Sequence, residues 1–152
     1  MSYVQSNLMP NEQVTAIGKI HWAIYVSGTL FILLGIYFVS AAHGAGGGLG
    51  ALLVIVGLFW LIRAWLYSFS TELAVTNKRV IAKFGLIRRS TVELLHSKVE
   101  SFNVEQSILG RTLNYGTVIV HGTGGGRTPI RGIAEPLEFR KQALTAIEAN
   151  RS

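Results

Sequence analysis

The chain contains no cysteine. No disulfide framework, thiolate nucleophile or Cys-based metal site is open to it, and the absence fits a reducing compartment. Aspartate is missing too. All eight acidic residues are Glu, so a paired-carboxylate site would need two of them. The four His stand at positions 21, 43, 96 and 121, none at the spacing of an HExxH metal motif. No G-x-S-x-G nucleophile elbow occurs. These absences predict a protein that is not an enzyme and that carries no cofactor and no metal. Charge is also scarce, at 14% of residues, where soluble domains carry about 25%. The shortage is local. Ile20 to Ile62 is a run of 43 positions without one Lys, Arg, Asp or Glu.

That run is broken only by the glycine-rich stretch His43 to Gly50. Each half has roughly 20 residues, which as a helix is about 30 Å and matches a bilayer's hydrocarbon core. The pattern predicts a transmembrane helical hairpin over residues 20–69, with spans at about 21–41 and 49–67. Trp22 and Tyr25 lie near one end of the first span, and Trp60, Trp65 and Tyr67 near the corresponding end of the second. Such rings favour the membrane interface, and His21 is placed there with Trp22. Lys19 and Arg63 flank the spans while the connection has no Lys or Arg. The positive-inside rule then puts both termini in the cytoplasm. Two alternatives stand beside this: a signal peptide cleaved near Val39-Ser40-Ala41, and a re-entrant hairpin. The apolar stretch is long and its leader scarcely basic for the former, and each arm is long enough to cross.

Gly28 and Gly35 are seven apart, as are Gly50 and Gly57. Small residues at that spacing share a helix face and let backbones approach closely in lipid. Packing of the two spans on each other is the first reading, and a homo-oligomer interface is the second. Transport is not expected, since two spans cannot enclose a pore without oligomerising and Ile20 to Ile62 holds no charge to mark an ion path.

After Phe69 the pattern turns to short alternating segments. Thr71 to Thr76, Arg79 to Phe84, Ile87 to Leu95, Val99 to Gln106, Thr117 to His121 and Arg127 to Ile133 read as strands. Asn77-Lys78 turns the chain, and Ser107 to Gly116 is a longer connection. Pro129 marks its strand as an edge or an irregular one. Gly122 to Gly126 invites comparison with a phosphate loop. It is followed by Arg127-Thr128-Pro129 and an extended segment, not by Gly-Lys-Ser/Thr and a helix, so it reads as a hairpin turn. Glu135-Pro136 opens a final helix. Leu137, Ala143, Leu144 and Ile147 fall on its apolar arc, with Phe139 at the edge. The expected divisions are a lead-in over 1–19, the hairpin over 20–69 and a cytoplasmic domain over 70–152. Short strands at this spacing suggest a sandwich or barrel, and the last helix would cover its open mouth.

Thr76-Asn77-Lys78-Arg79-Val80-Ile81 and Gly85-Leu86-Ile87-Arg88-Arg89 resemble the bacterial PH-domain family of membrane-flanked proteins. So do Leu94 to Ser101, Val104 to Ser107, Gly110-Arg111 and Tyr115 to Val120. The resemblance covers residues 70 to 140, and Leu8 to Glu12 with His21-Trp22 resemble the lead-in to the paired spans. It implies a membrane α+β protein: the hairpin, then a PH-like β-barrel or sandwich of six or seven strands capped by a C-terminal α-helix. It also implies a place at a bacterial inner membrane.

The net charge is +6, and of 14 Lys and Arg residues 13 lie from Arg63 onward, the other being Lys19. A basic domain tethered to a bilayer is drawn to anionic lipid by about 1 kcal/mol per Lys or Arg near the surface. Nucleic acid is not expected as a partner. In relatives of the PH fold, basic residues on an early strand loop hold phosphorylated headgroups. Lys78, Arg79, Lys83, Arg88 and Arg89 surround the first strand turns and are candidate lipid or anion ligands, and by that resemblance Lys83, Arg88 and Arg89, which flank Gly85, stand in the comparable place. A solvated face paired with Glu93 and Glu100 is the alternative. The expected function is a non-enzymatic, membrane-anchored interaction or scaffold module that binds a protein partner or itself. The alternative is an anionic-lipid-binding domain.

Overall fold

The computed structural model describes residues 3–41, 45–85 and 90–149. The chain divides into two compact units. One is continuous, Trp22–Phe69. The other is assembled from both sides of it, Met1–His21 with Ser70–Ser152.

The continuous unit is a 3₁₀ turn, Trp22–Tyr25, followed by helix α2, Val26–Ala41, and helix α3, Ala45–Ser70. (α1 is a short helix at Tyr3–Ser6.) Among the described residues two helices are long and apolar enough to cross a membrane, Trp22–Ala41 and Gly47–Ser70. Only 11% of the most apolar stretch of each is buried, whereas a core helix of a soluble protein is mostly buried. Their large side chains, among them Leu33, Ile36, Leu52, Ile55 and Phe59, are exposed.

Among the described residues the discontinuous unit has seven strands in two antiparallel sheets. The four-stranded sheet runs in the order β1 (Val14–Gly18), β2 (Glu72–Thr76), β3 (Arg79–Phe84), β4 (Ser90–Leu95). The three-stranded sheet runs β5 (Val99–Glu105), β6 (Tyr115–Gly122), β7 (Gly126–Ala134). A short helix α4, Ile108–Thr112, joins β5 to β6, and helix α5, Pro136–Glu148, follows β7. Leu73, Val75, Val80 and Ala82 from one sheet meet Phe102, Val118, Val120, Ile130 and Ile133 from the other. Phe139, Ala143, Ala146 and Ile147 of α5 join this core.

Three expectations are corrected. The 1–19 lead-in is not a separate segment: Val14–Gly18 is an edge strand of the sheet, paired with β2 from Val14↔Thr76 to Gly18↔Leu73. Its inward residues are Ala16 and Gly18. A Cβ at Gly18 would lie 3.0 Å from Leu73 Cδ2, so nothing bulkier fits without displacing its neighbours. Second, α5 is turned from its expected arc. Phe139 is central and buried while Leu137 is exposed, because positions 139, 143, 146 and 147 follow the helical i, i+4, i+7, i+8 spacing. Third, the connection after β5 contains α4, and β6 begins at Tyr115.

Pro129 lies in β7, opposite Ile119 of β6. β7 is an edge of its sheet, where a strand tolerates a missing donor. A single bridge, Ile20↔Ile133, links the chain beyond β1 to β7. The first helix α1 covers the opposite face of the larger sheet, where Val4 packs with Ala74 and Ile81.

Candidate functional site

The three candidate basic residues that are described, Lys78, Arg79 and Lys83, do not form one site. β2 and β3 are antiparallel, with Glu72 opposite Lys83 and Val75 opposite Val80. Lys78 and Arg79 therefore lie at one end of these strands and Lys83 at the other, about 15 Å apart at roughly 3.3 Å per residue. Arg88 and Arg89 lie outside the described residues.

Arg79 is a structural residue. Its side chain is 8% exposed and its partner Glu12 is fully enclosed. Arg79 Nε donates to Glu12 Oε1 at 3.0 Å and Nη2 to Glu12 Oε2 at 3.1 Å. Nη1 donates to Glu93 Oε2 at 2.6 Å and Nη2 also to the Asn7 carbonyl at 2.8 Å. Glu12 accepts two more bonds, from Thr76 Oγ1 at 2.7 Å and from the Met9 amide at 2.7 Å. Burial acts to raise the Glu12 carboxyl, but the Met9 amide, Thr76 hydroxyl and Arg79 outweigh it and hold the group below its ordinary range. The Glu12 bond, against the pull of burial, raises Arg79 above its ordinary value. A guanidinium so committed has no donor fork left to offer a headgroup. Thr76 Oγ1 also accepts from the Lys78 and Arg79 amides, at 3.1 and 3.0 Å, and closes the turn.

Lys78 Nζ donates to the Pro10 carbonyl at 2.8 Å from an exposed position. Lys83 Nζ is 3.5 Å from Glu72 Oε1. Arg79 thus pairs with Glu93 as well as Glu12, and Lys83 pairs with Glu72.

The four candidate packing glycines do meet, inside the hairpin. A Cβ at Gly35 would lie 2.7 Å from the Gly50 carbonyl oxygen and 2.7 Å from Val54 Cγ2. One at Gly57 would lie 2.6 Å from Ile32 Cγ1 and 2.9 Å from the Gly28 carbonyl oxygen. One at Gly28 would strike Leu61 at 2.8 Å. These contacts use the glycines to bring α2 against α3.

His96 is buried in the turn Leu95–Val99, and His121 Nε2 lies 3.3 Å from Asn103 Nδ2. The ring of His21 stacks on Tyr115 at 5.3 Å, and its amide donates to the Gly132 carbonyl at 2.7 Å. His43 is outside the described residues. No group of three or more His or Glu that could hold a metal ion occurs among the described residues. A cleft of about 370 Å³ beside α5 is lined by Lys19, Glu135, Glu138 and Gln142 with Ile17, Ala134 and Phe139. It sets one ammonium among carboxylates with no nucleophile nearby. The sequence gives no sign of the buried Glu12–Arg79 pair, because 67 residues separate its members.

The model of the bacterial PH domain matches residues 22–146. No curated protein and no solved structure matches the chain.

Proposed function

We propose that this chain, which belongs to the bacterial PH domain family, is a non-enzymatic interaction module anchored in a membrane by its own β1–β2 connection. The observation that carries this reading is the pairing of Gly18 with Leu73. The apolar helices lie between two adjacent strands of one sheet, so a single folded unit receives both ends of the hairpin. If α2 and α3 cross a bilayer, both ends emerge on the same side, and the barrel with both termini is there. The exposed aliphatic surface of α2 and α3 supports crossing, because water would meet it at high cost. Lys19 precedes the first apolar helix and Arg63 lies about two turns before the end of α3, while the connection between the helices carries no Lys or Arg, so by the positive-inside rule the barrel side is the cytoplasm.

The partner on this reading is a protein or a second copy. β4 is an outer strand of the larger sheet, hydrogen-bonded to β3, and an outer strand can accept a further strand from a partner. The alternative ligand is anionic lipid. What favours it is the position of Lys83 near the end of β3 that faces Glu72, where the chain returns from the hairpin, with Arg88 and Arg89 following in sequence.

Two measurements test these statements in the whole chain. Single cysteines at Gly46 and Ser152 report topology with an impermeant thiol reagent in spheroplasts: Gly46→Cys is expected to react and Ser152→Cys not. The opposite pattern overturns the orientation. A photo-crosslinking side chain at Thr91 of β4 is expected to give one discrete protein adduct in cells. Lipid adducts alone would favour the alternative.

A further inference from the structure

The most exposed apolar surface on the barrel unit is the turn containing α4. Ile108 is 85% exposed, Leu109 67% and Leu113 39%. Single exposed aliphatics are ordinary, but a cluster on one turn marks a surface that something covers.

The turn is held in place by its polar groups. Ser107 Oγ accepts from the Gly110 amide at 3.0 Å. Gln106 Nε2 donates to the carbonyls of Gly110 and Tyr115, at 3.3 and 3.1 Å. The Arg111 and Leu113 amides bond to Ser107 and Leu109, both at 2.9 Å. Gly110 sits so close to β6 that a Cβ there would lie 2.7 Å from the Tyr115 carbonyl oxygen. The Asn114 carbonyl accepts from the Glu135 amide at 2.9 Å, which ties the turn to the start of α5. With the backbone fixed inward, Ile108 and Leu109 cannot collapse onto the barrel.

The end of the barrel that carries this turn is identifiable. Tyr115, two residues beyond Leu113, stacks on His21. His21 is the last residue of the barrel unit before the apolar helices begin at Trp22. The turn therefore stands at the end from which the chain departs. Exposed Arg111 lies between Leu109 and Leu113.

We propose that the α4 turn is a membrane wedge, with Ile108 and Leu109 entering the lipid surface beside the tether and Arg111 remaining at headgroup level. The proposal rests on the reading of α2 and α3 as membrane spans. Interfacial apolar groups of this kind reach about 5–10 Å into the headgroup and acyl boundary. Two aliphatic side chains would not recruit a free protein. Tethering raises their effective concentration at the lipid, so a weak contact suffices. The guanidinium can stay in the polar layer while its stem lies along apolar surface. The wedge gives the barrel a second point of attachment and so fixes which face it turns to partners.

Because the chain has no cysteine, single-cysteine variants of the whole protein can carry an environment-sensitive fluorophore in vesicles of phosphatidylglycerol and phosphatidylcholine. The variants are Ile108→Cys and Leu109→Cys, Thr123→Cys at the opposite end of β6, and Leu33→Cys in α2. Labels at 108 and 109 should emit at shorter wavelength than the label at 123. Nitroxide near the carbonyl end of the acyl chains should quench them several-fold more. If the label at 33 is quenched by mid-chain nitroxide and those at 108 and 109 behave like 123, the wedge is overturned and the tether stands. If the label at 33 is not quenched, the tether fails and the wedge with it. Blue-shifted labels at 108 and 109 that lipid nitroxide does not quench would mean a protein or second copy covers the turn, which also overturns the wedge.

Discussion

Glu12 and Arg79 decide how the N-terminal segment is attached. Two carboxylates and a backbone carbonyl surround one guanidinium, and the Glu12 side chain is fully enclosed. Removing one partner of a buried pair leaves the other charged and uncompensated, at a cost of about 3–5 kcal/mol. Glu12→Ala and Arg79→Met are each expected to destabilise the barrel by about that much, read as a loss of melting temperature in detergent. A lipid ligand would behave otherwise, losing vesicle affinity at unchanged stability. Arg79→Lys should rescue little, since an ammonium cannot span both Glu12 oxygens and Glu93 with a planar fork. The pH dependence of this pair follows from Glu12, because Arg79 stays protonated. A carboxyl lowered from 4.5 in the folded state contributes stability that is present above its unfolded value. That contribution is lost as pH falls through the folded value. The melting temperature should therefore drop on acidification below the ordinary carboxylate range, and Glu12→Gln should flatten that acid limb. An acid limb equally steep in Glu12→Gln would assign it to other carboxylates.

At the scale of elements, the helix pair is held by absence of side chains. Gly35 and Gly50 each point at the other's backbone, with 2.7 Å left for any added Cβ. Gly35→Ile should force α2 and α3 apart, at about 1–3 kcal/mol for overpacking. The reading is the thermal loss of helical signal in detergent, with Gly48→Ala, where a Cβ meets nothing within 4 Å, as the control. These glycines were legible in sequence because seven-residue spacing is itself the packing signal. β2 and β5 were legible because large apolar residues alternate along them, Leu73 with Val75 and Phe102 with Val104. β1 was not. Its inward positions are Ala16 and Gly18, while Ile17 points out and is 57% exposed. The usual alternation is inverted by the close approach of Leu73. The arc of α5 was misjudged for a related reason: Leu137 is apolar and sits at the helix start, but the residue that reaches the core is Phe139. Arg79 departs from the expected role of a surface ligand because residue type does not report burial, and antiparallel register separates it from Lys83.

At the scale of the whole molecule, the two-sheet unit is interrupted in sequence by the apolar hairpin, and this makes a prediction about which pieces fold. Residues 70–152 look like a domain in sequence. They lack β1, and without it the outer edge of β2 from Leu73 to Thr76 loses its backbone partners. Ala16 leaves the main core and Val4 the smaller cluster. Arg79 keeps Glu93 but loses Glu12 and the Asn7 carbonyl. Each loss falls on a buried group, where unpaired polar atoms and cavities cost most. Residues 70–152 alone are thus expected to show no cooperative melt. A chain in which residues 1–21 are joined to 70–152 by a short Gly/Ser linker in place of the hairpin should recover one. The Gly18↔Leu73 pairing brings the two joints close enough for such a linker. Circular dichroism and hydrogen exchange would compare the two chains, with β2 amides expected to be protected only in the joined one. If 70–152 alone melts cooperatively at the same temperature as the joined chain, β1 is dispensable. The argument that a single folded unit fixes both ends of the hairpin on one side would then lose its basis. If the joined chain folds and the fragment does not, the barrel cannot be completed until both helices have been made. In that case the hairpin must return the chain to the side where residues 3–21 already wait.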